Sequence, residues 1–287
     1  MLNPELKLNT KLFNEDVEKI STREGFGKGL LKAGEENKNV VALCADLKES
    51  VNMNLFAEKF TKENRFIEVG VAEQNLVTTA SGMAAMGKIP FCGSYAIFSP
   101  GRNWEQIRTT ICYNDRPVKI IGSHAGVSVG PDGGSHQMLE DIALMRVLPN
   151  MEVFSPCDAV EAKKITLAIS KTKKPSYLRL NRDKTAVITT EETVFNIDKA
   201  QIYWMPNVGI AQIGIIATGT LLYNAILAAR ELEQEDNIKI KVMNLATIKP
   251  IDSDSVIKLA KETKCLVTVE EHQISGGMGS AVAEVLS

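Results

Sequence analysis

The segment RFIEVGVAEQNLVTTASGMAAMGKIPFCGS, residues 65–94, decides the fold class of the chain. It opens with a strand-like apolar run at 65–70, continues with a helix-like stretch at 72–87 and closes with a second strand-like run at 89–94. Two short apolar runs joined by a helix are typical of parallel strands with a crossover connection. The segment therefore predicts an α/β fold built on a mainly parallel sheet.

The same alternation continues on both sides of this segment. Further strands are predicted at NVVALCAD (39–46), VKIIGSHA (118–125), MEVFSP (151–156) and PSYLRL (175–180), and further helices at NWEQIRTTICYN (103–114) and SPCDAVEAKKITLAISK (155–171). In the last helix, Asp158 is placed to accept hydrogen bonds from the free amides of the first turn. Together these elements predict a first α/β domain at residues 1–187.

The alternation lapses between residues 188 and 207, which we interpret as a linker. A second cycle of strands and helices then predicts a second α/β domain at residues 208–287, also with a mainly parallel sheet. Its last helical run, SAVAEVLS, is followed by no capping glycine or polar tail. We therefore expect the second domain to be shortened at its carboxyl end.

The near balance of charge limits the kinds of partner. With 33 basic and 35 acidic residues the formal net charge is −2, so electrostatics give no reason to expect nucleic acid or an anionic membrane. The longest apolar stretch, residues 208–222, contains Gln212 and is too short and too polar to span a bilayer. A small-molecule substrate is the expectation.

Five cysteines are scattered along the chain without a CxxC pair: Cys44, Cys92, Cys112, Cys157 and Cys265. Their odd number and wide spacing argue against a disulfide framework and against a structural zinc site. We therefore expect the chain to function in the reducing cytoplasm.

Polar residues of functional type follow several predicted strands, where an open parallel sheet binds its ligands. Glu73 follows the strand at 65–70, His124 lies at the end of the strand at 118–125, and Arg182 follows the strand at 175–180. The same edge should carry five more residues: Asp46, Leu47, Ser50, Asp132 and His136. This convergence favours a functional site.

Each of these residues also has a structural interpretation. Glu73 could be a first-turn acid favoured by the helix dipole, GPDGG at 130–134 a tight turn, and Arg182 a surface ion-pair member. A zinc site is not predicted, because a third well-spaced ligand is missing. A serine hydrolase is not predicted either, because no GxSxG elbow follows a strand.

Nine strings in fixed order resemble the transketolase family. Six are similar to its pyrimidine-binding domain: ISTREGFG, CADLKES, FIEVGVAEQN, SHAGVSVGPDGGSHQ, LPNMEVFSPCDAVEA and YLRLNR. Three are similar to its last domain: IATGTLLYNA, VMNLATIKPID and VTVEEHQISGGMGS. The resemblance covers the chain from about residue 20 to its end. It implies a thiamine-diphosphate enzyme of the pentose phosphate pathway, which moves a two-carbon ketol unit between phosphorylated sugars.

The resemblance assigns the cofactor contacts. Glu73 matches the carboxylate that contacts the aminopyrimidine ring and favours its imino tautomer, which then removes the thiazolium proton. Phe98 is the ring expected to stack on the aminopyrimidine, with Tyr95 as the alternative. Asp46 and Leu47 complete the implied cofactor contacts.

The resemblance also assigns the substrate contacts. Four residues match positions that bind the sugar phosphate: Arg23, Ser50, His124 and Arg182. Asp132 matches a position that binds a substrate hydroxyl, and His136 one beside the reacting carbon. His136 and His124 are the implied groups for proton transfer, because imidazole titrates near neutrality.

The family's metal-binding motif, GDG followed by an asparagine, has no counterpart in the sequence. The resemblance therefore implies no metal ligand in this chain and a separate amino-terminal transketolase subunit, which holds the diphosphate with Mg²⁺ or Ca²⁺. The implied assembly is a heterotetramer in which this chain also self-associates into a dimer, active only with its partner.

Three alternatives are left open. A 1-deoxy-D-xylulose-5-phosphate synthase has similar strings near its end, but His124 argues against it. The beta subunit of a 2-oxoacid dehydrogenase has a similar size, but it lacks the GPDGGSHQ loop at 130–137. A non-catalytic paralogue that binds a partner or cofactor is the third.

Overall fold

The computed structural model describes residues 1–287, and most of its strands lie in two sheets. The strands in chain order are β1 (Lys19–Ser21), β2 (Val40–Cys44), β3 (Phe66–Glu68), β4 (Ile89–Tyr95), β5 (Lys119–Ser123), β6 (Glu152–Phe154), β7 (Ser176–Arg179), β8 (Lys184–Ala186), β9 (Gln201–Trp204), β10 (Ile213–Ala217), β11 (Ile240–Asn244), β12 (Thr247–Lys249) and β13 (Cys265–Val269).

Helices connect the strands and cover the sheets. They are α1 (Thr22–Glu36), α2 (Asn54–Phe60), α3 (Glu73–Ala85), α4 (Trp104–Gln106, continued by a π-helix at Ile107–Cys112), α5 (Asp141–Arg146), α6 (Ala159–Ile169), α7 (Leu222–Glu235), α8 (Ser253–Glu262) and α9 (Met278–Leu286). No helix is both long enough and apolar enough to cross a membrane.

The larger sheet has the strand order β12-β6-β7-β5-β4-β2-β3, and all of its pairs are parallel except β12 with β6. The smaller sheet has the order β13-β10-β11-β9, and only β9 is antiparallel to its neighbour. The prediction of an α/β chain with two mainly parallel sheets is confirmed.

Four short strands were not predicted: β1, β8, β9 and β12. Strands β1 and β8 pair with each other in a separate two-stranded sheet. Strand β9 lies inside the segment 188–207 and pairs with β11 of the smaller sheet. Strand β12 follows β11 directly but joins the larger sheet, where Thr247 pairs with Phe154. These strands have only three or four residues and lie outside the apolar runs that mark the other strands, so only their tertiary pairing identifies them.

Helix α3 places Glu73 beside the larger sheet. The chain leaves β3, turns at Gly70 with a φ of +70° and begins the helix at Glu73. Leu76, Val77 and Ala80 are buried at the helical spacing that packs one face against the sheet. The first residue of the helix is thereby held at the carboxyl edge of the strands.

Helix α6 begins as the sequence predicts. The Asp158 side chain accepts a hydrogen bond from the Glu161 amide at 2.8 Å, and a cap of this kind stabilises a helix by about 1 kcal/mol. Glu161 in turn accepts from the Asn244 side chain of β11 at 2.8 Å. The two domains therefore meet through a buried polar network as well as through apolar packing.

Candidate active site

The predicted site residues follow strands of the larger sheet. Tyr95 ends β4, His124 directly follows β5, and Arg182 lies three residues after β7. These strands are parallel neighbours, so their carboxyl ends open at one edge. The structure places the side chains predicted from the sequence along this edge.

Four rings form a cluster at the edge. Tyr95 stacks on His124 with centroids 3.8 Å apart, and on Phe98 with centroids 6.0 Å apart. His136 lies edge-on to Phe98, with centroids 5.5 Å apart. The two histidines assigned to proton transfer therefore meet the two aromatic rings considered for cofactor stacking.

Glu73 is buried beside this cluster, with only 2% of its surface exposed. The guanidinium of Arg102 donates to Glu73 Oε2 at 3.0 Å and lies 5.2 Å from the centroid of the Phe98 ring. Glu73 Oε1 accepts no hydrogen bond. One planar cation thus bridges the carboxylate and the Phe98 face, whereas Tyr95 faces His124.

Two residues of this arrangement were missed by sequence reasoning, Arg102 and Asn103. The buried Asn103 amide donates to the Glu73 carbonyl at 2.9 Å and to Ser99 Oγ at 3.1 Å. Asn103 therefore fixes the backbone at the start of α3. The signal was the arginine–asparagine pair shortly after Phe98, which is polar and follows the end of β4.

His124 is buried and has a φ of +58°, a conformation that non-glycine residues seldom adopt. Its Nδ1 lies 2.9 Å from Ser123 Oγ. Burial, and then the positive charges of Arg23 and Arg182, lower the pKa of His124 to about 4, against the opposing effect of Asp132. His124 is therefore a neutral hydrogen-bonding group at pH 7.

Arg23 and Arg182 flank His124 without carboxylate partners. Arg23 Nη1 donates to the Ser50 carbonyl at 2.7 Å, and its buried Nε has no partner. Arg182 Nη1 donates to the Val129 carbonyl at 3.2 Å. Two guanidinium groups bonded only to backbone carbonyls keep their charge available to an anion.

The loop of residues 124–137, here named the histidine loop, carries His136 and Asp132. His136 Nδ1 lies 2.9 Å from Ser135 Oγ, and exposed Asp132 ends a 3₁₀ turn at Gly130–Asp132. The glycine-rich string is thus a turn, as its structural interpretation proposed, and this turn also presents Asp132 beside the site.

Asp46 and Leu47 form the turn after β2. The Asp46 amide donates to Glu68 Oε1 at 2.6 Å, while Leu47 packs against the apolar core. Their contacts link the turn to β3 and the core rather than to Glu73 or the ring cluster.

No group of three or more His, Cys, Asp or Glu side chains is arranged to hold a metal ion. A cavity of about 710 Å³ is lined by residues such as Ala33, Lys88 and Lys171 at the opposite, amino-terminal edge of the strands. It contains none of the predicted site residues. The candidate site is therefore the open strand edge and not this cavity.

Comparison with known proteins agrees with the geometry. Residues 18–187 match the family model of the transketolase pyrimidine-binding domain, and residues 208–287 match that of the transketolase C-terminal domain. A putative transketolase C-terminal section from Methanocaldococcus jannaschii is 43% identical over 267 residues, which cover 92% of this chain and 81% of that protein.

A solved split-gene transketolase, described as an inactive beta4 tetramer, is 40% identical with a TM-score of 0.84, covering 94% of this chain and 86% of that one. Human transketolase is 36% identical over 94% of this chain, but the match spans only 42% of the human protein. These relatives favour transketolase over the two other enzyme families considered. The chain therefore belongs to the transketolase family and spans its pyrimidine-binding and C-terminal domains.

Proposed function

We propose that this chain is the carboxy-terminal subunit of a split transketolase. With an amino-terminal subunit it transfers a two-carbon ketol unit from a phosphorylated ketose to a phosphorylated aldose. The observation that carries the proposal is the buried Glu73 carboxylate beside the Phe98 face, next to a cluster of two histidines.

The residues present fit the aminopyrimidine of thiamine diphosphate. A flat ring with hydrogen-bonding nitrogens needs an aromatic face and a charged acceptor in reach of each other. Phe98 supplies the aromatic face and Glu73 the charged acceptor. The planar guanidinium of Arg102 donates to Glu73 while it lies over the Phe98 ring, so one flat donor can contact both residues at once. Because Arg102 is half exposed, it can move aside at little cost. We assign Phe98 rather than Tyr95 to the stacking contact.

When bound, thiamine diphosphate supplies the nucleophilic carbon that accepts the two-carbon unit. Glu73 would hold a proton of the aminopyrimidine ring through a charge-assisted hydrogen bond. His136 would exchange protons with the carbonyl and hydroxyl oxygens of the sugar. His124, assigned to proton transfer by the resemblance, would act mainly as a neutral hydrogen-bonding group there, because its pKa is lowered to about 4. Arg23 and Arg182 would bind the phosphate, and Asp132 a substrate hydroxyl. Ser50, assigned to the sugar phosphate, and the Asp46–Leu47 turn, assigned to the cofactor, follow β2 at the same edge of the larger sheet.

The diphosphate and its Mg²⁺ or Ca²⁺ would be held by the amino-terminal subunit. The relatives described as a transketolase C-terminal section and as a split-gene transketolase support this division. A diphosphate needs a cation or several donors to neutralise it. We propose a heterotetramer built on a dimer of this chain, working in the pentose phosphate pathway of the cytoplasm. Five free cysteines, four of them buried, are in keeping with a reducing compartment.

The test is reconstitution. The chain is mixed with an amino-terminal transketolase subunit, and two-carbon transfer from xylulose 5-phosphate to ribose 5-phosphate is assayed with cofactor and Mg²⁺. We expect transfer only in the mixture. Transfer by this chain alone would contradict the split site, and no transfer by a stable complex that binds the cofactor would favour the non-catalytic alternative.

A further inference from the structure

A carboxylate of the second domain reaches into the histidine loop of the first. Glu271 follows β13, and its Oε1 accepts a hydrogen bond from the Ser128 amide at 2.6 Å. Its Oε2 accepts from Asn181 Nδ2 at 2.9 Å and from Ser128 Oγ at 3.2 Å. Glu271 thus bonds to the middle of the loop and to the chain after β7.

These two partners adjoin the proposed substrate residues. Ser128 lies between His124 and Asp132, and Asn181 precedes Arg182. The backbone N–H of Asn181 donates to Thr22 Oγ1 at 2.8 Å, and Thr22 precedes Arg23 in the chain. Glu271 therefore helps to join the segments that carry the phosphate-binding and proton-transferring residues, beside the bonds from Arg182 to the Val129 carbonyl and from the Ala125 amide to the Leu180 carbonyl.

The loop backbone packs directly against the Glu271 carboxylate. At Gly126, with a φ of +83°, a Cβ atom would lie 2.2 Å from the Glu271 carboxyl carbon, so only glycine fits. The loop contains three more glycines, Gly130, Gly133 and Gly134, and an unsupported segment of this composition has many accessible conformations. The bonds to Glu271 oppose that freedom.

Glu271 is itself held in place. Buried Arg179 donates to the Glu271 carbonyl at 2.7 Å, and the Gln273 amide donates to the Leu139 carbonyl at 2.9 Å. The neighbouring Glu270 points elsewhere, since its carboxylate accepts from the Met278 and Gly279 amides at the start of α9. Of these two adjacent glutamates, Glu271 therefore bonds across the domain boundary and Glu270 bonds within the second domain.

We propose that Glu271 is a positioning residue of the active site, through which the second domain fixes the histidine loop for sugar binding. The inference rests on the proposed function only for what the loop does, because the contact itself needs no partner subunit. Displacing reacting groups by about 1 Å can cost on the order of 100-fold in rate, so a loop whose Ser128 is held by this carboxylate is a sensitive point.

The test compares Glu271→Gln with Glu270→Gln. Amide hydrogen exchange of the isolated full chain reports on the loop without any catalysis. We expect Glu271→Gln to lose protection at the Ser128 amide and along residues 126–137, and Glu270→Gln to lose it at the start of α9 instead. Unchanged loop protection in folded Glu271→Gln would overturn the proposal, whatever the activity of the complex.

The reconstituted enzyme supplies the second readout. Glu271→Gln should lower kcat/KM for phosphorylated sugars by roughly tenfold or more, while exchange of the thiazolium proton of bound cofactor stays near the wild-type rate. A merely structural role would reduce both rates equally, and that result would also overturn the proposal. If Glu271→Gln does not fold, Asn181→Ala removes one of the two partners and should give a smaller loss of protection in the same segment. Full protection there would contradict the inference.

Discussion

Two buried carboxylates of the first domain, Glu73 and Asp141, each pair with an arginine, but their surroundings differ. Asp141 Oδ2 accepts from Arg179 Nε at 2.9 Å and from the Tyr177 hydroxyl at 2.8 Å, and all three side chains are buried. Glu73 pairs with Arg102, whose side chain is 52% exposed. One pair is enclosed by the protein, and the other opens toward solvent.

The difference shows how structural and functional carboxylates can be told apart. The Asp141 pair joins α5 to β7 and, through the Arg179 bond to the Glu271 carbonyl, to the second domain. The Glu73 pair joins nothing that the fold requires, because its arginine can leave for water. A buried carboxylate with a replaceable partner is prepared for a ligand, whereas one with an irreplaceable partner serves stability.

The largest effect that would test this contrast is on stability. Asp141→Asn leaves the Arg179 guanidinium buried without its counter-charge, which typically costs 3–5 kcal/mol. Glu73→Gln should cost about 1 kcal/mol or less, because exposed Arg102 can be solvated. Urea unfolding of the isolated chain measures both. Equal losses would remove the distinction between the two pairs.

A smaller effect is expected for Arg182, which follows β7, than for the buried pair of Arg179 at the end of β7. Arg182→Ala should unfold near the wild-type urea concentration, since Arg182 bonds only to a backbone carbonyl. In the complex it should raise the KM for phosphorylated sugars by about 10- to 100-fold, because a charge-assisted phosphate contact contributes about 1.5–3 kcal/mol. Hydroxypyruvate, which carries no phosphate, is the control donor. An equal rise in its KM would withdraw the phosphate assignment.

The smallest effect is on the pH dependence of stability. Burial and the charge of Asp158 raise the pKa of Glu161 at the domain interface to about 7, so acidification from pH 7 to 4.5 favours the folded state there. His124 in the site, with its pKa lowered to about 4, makes acidification from pH 6.5 to 4 favour the unfolded state.

Unfolding at pH 8 and pH 5 distinguishes the two groups. Compared with wild type, Glu161→Gln should lose more stability on acidification, because the stabilising protonation is gone. His124→Asn should lose less, because the unfavourable protonation is gone. If both variants lost more stability than wild type on acidification, or both lost less, the described environment of Glu161 or of His124 would be wrong.

The sequence predicts the parts of the molecule that follow local rules. The alternation of strands and helices, the Asp158 cap and the placement of Glu73, His124 and Arg182 after strands all depend on neighbouring residues. Strands β1, β8, β9 and β12 were missed because they lie outside the apolar runs and their partners lie far along the chain.

The site was less fully predictable, since its contacts join segments that the sequence keeps apart. The ranking of Phe98 over Tyr95 rested on resemblance alone, and only the structure shows that Arg102 lies between Phe98 and Glu73 and that Tyr95 stacks on His124. Glu271 lies in a string that resembles the family, but nothing local reveals that its carboxylate bonds to Ser128 more than 100 positions earlier.

The most direct test of the central claim is exchange of the thiazolium proton for deuterium in the reconstituted complex carrying Glu73→Gln. Glutamine keeps the shape of the side chain but removes its charge, and losing a preorganised electrostatic contact typically costs on the order of 100-fold or more in rate. We predict exchange slowed to that degree, with cofactor saturated and the thermal unfolding midpoint nearly unchanged. Exchange at the wild-type rate would show that Glu73 is only a first-turn acid and would contradict its role in cofactor activation.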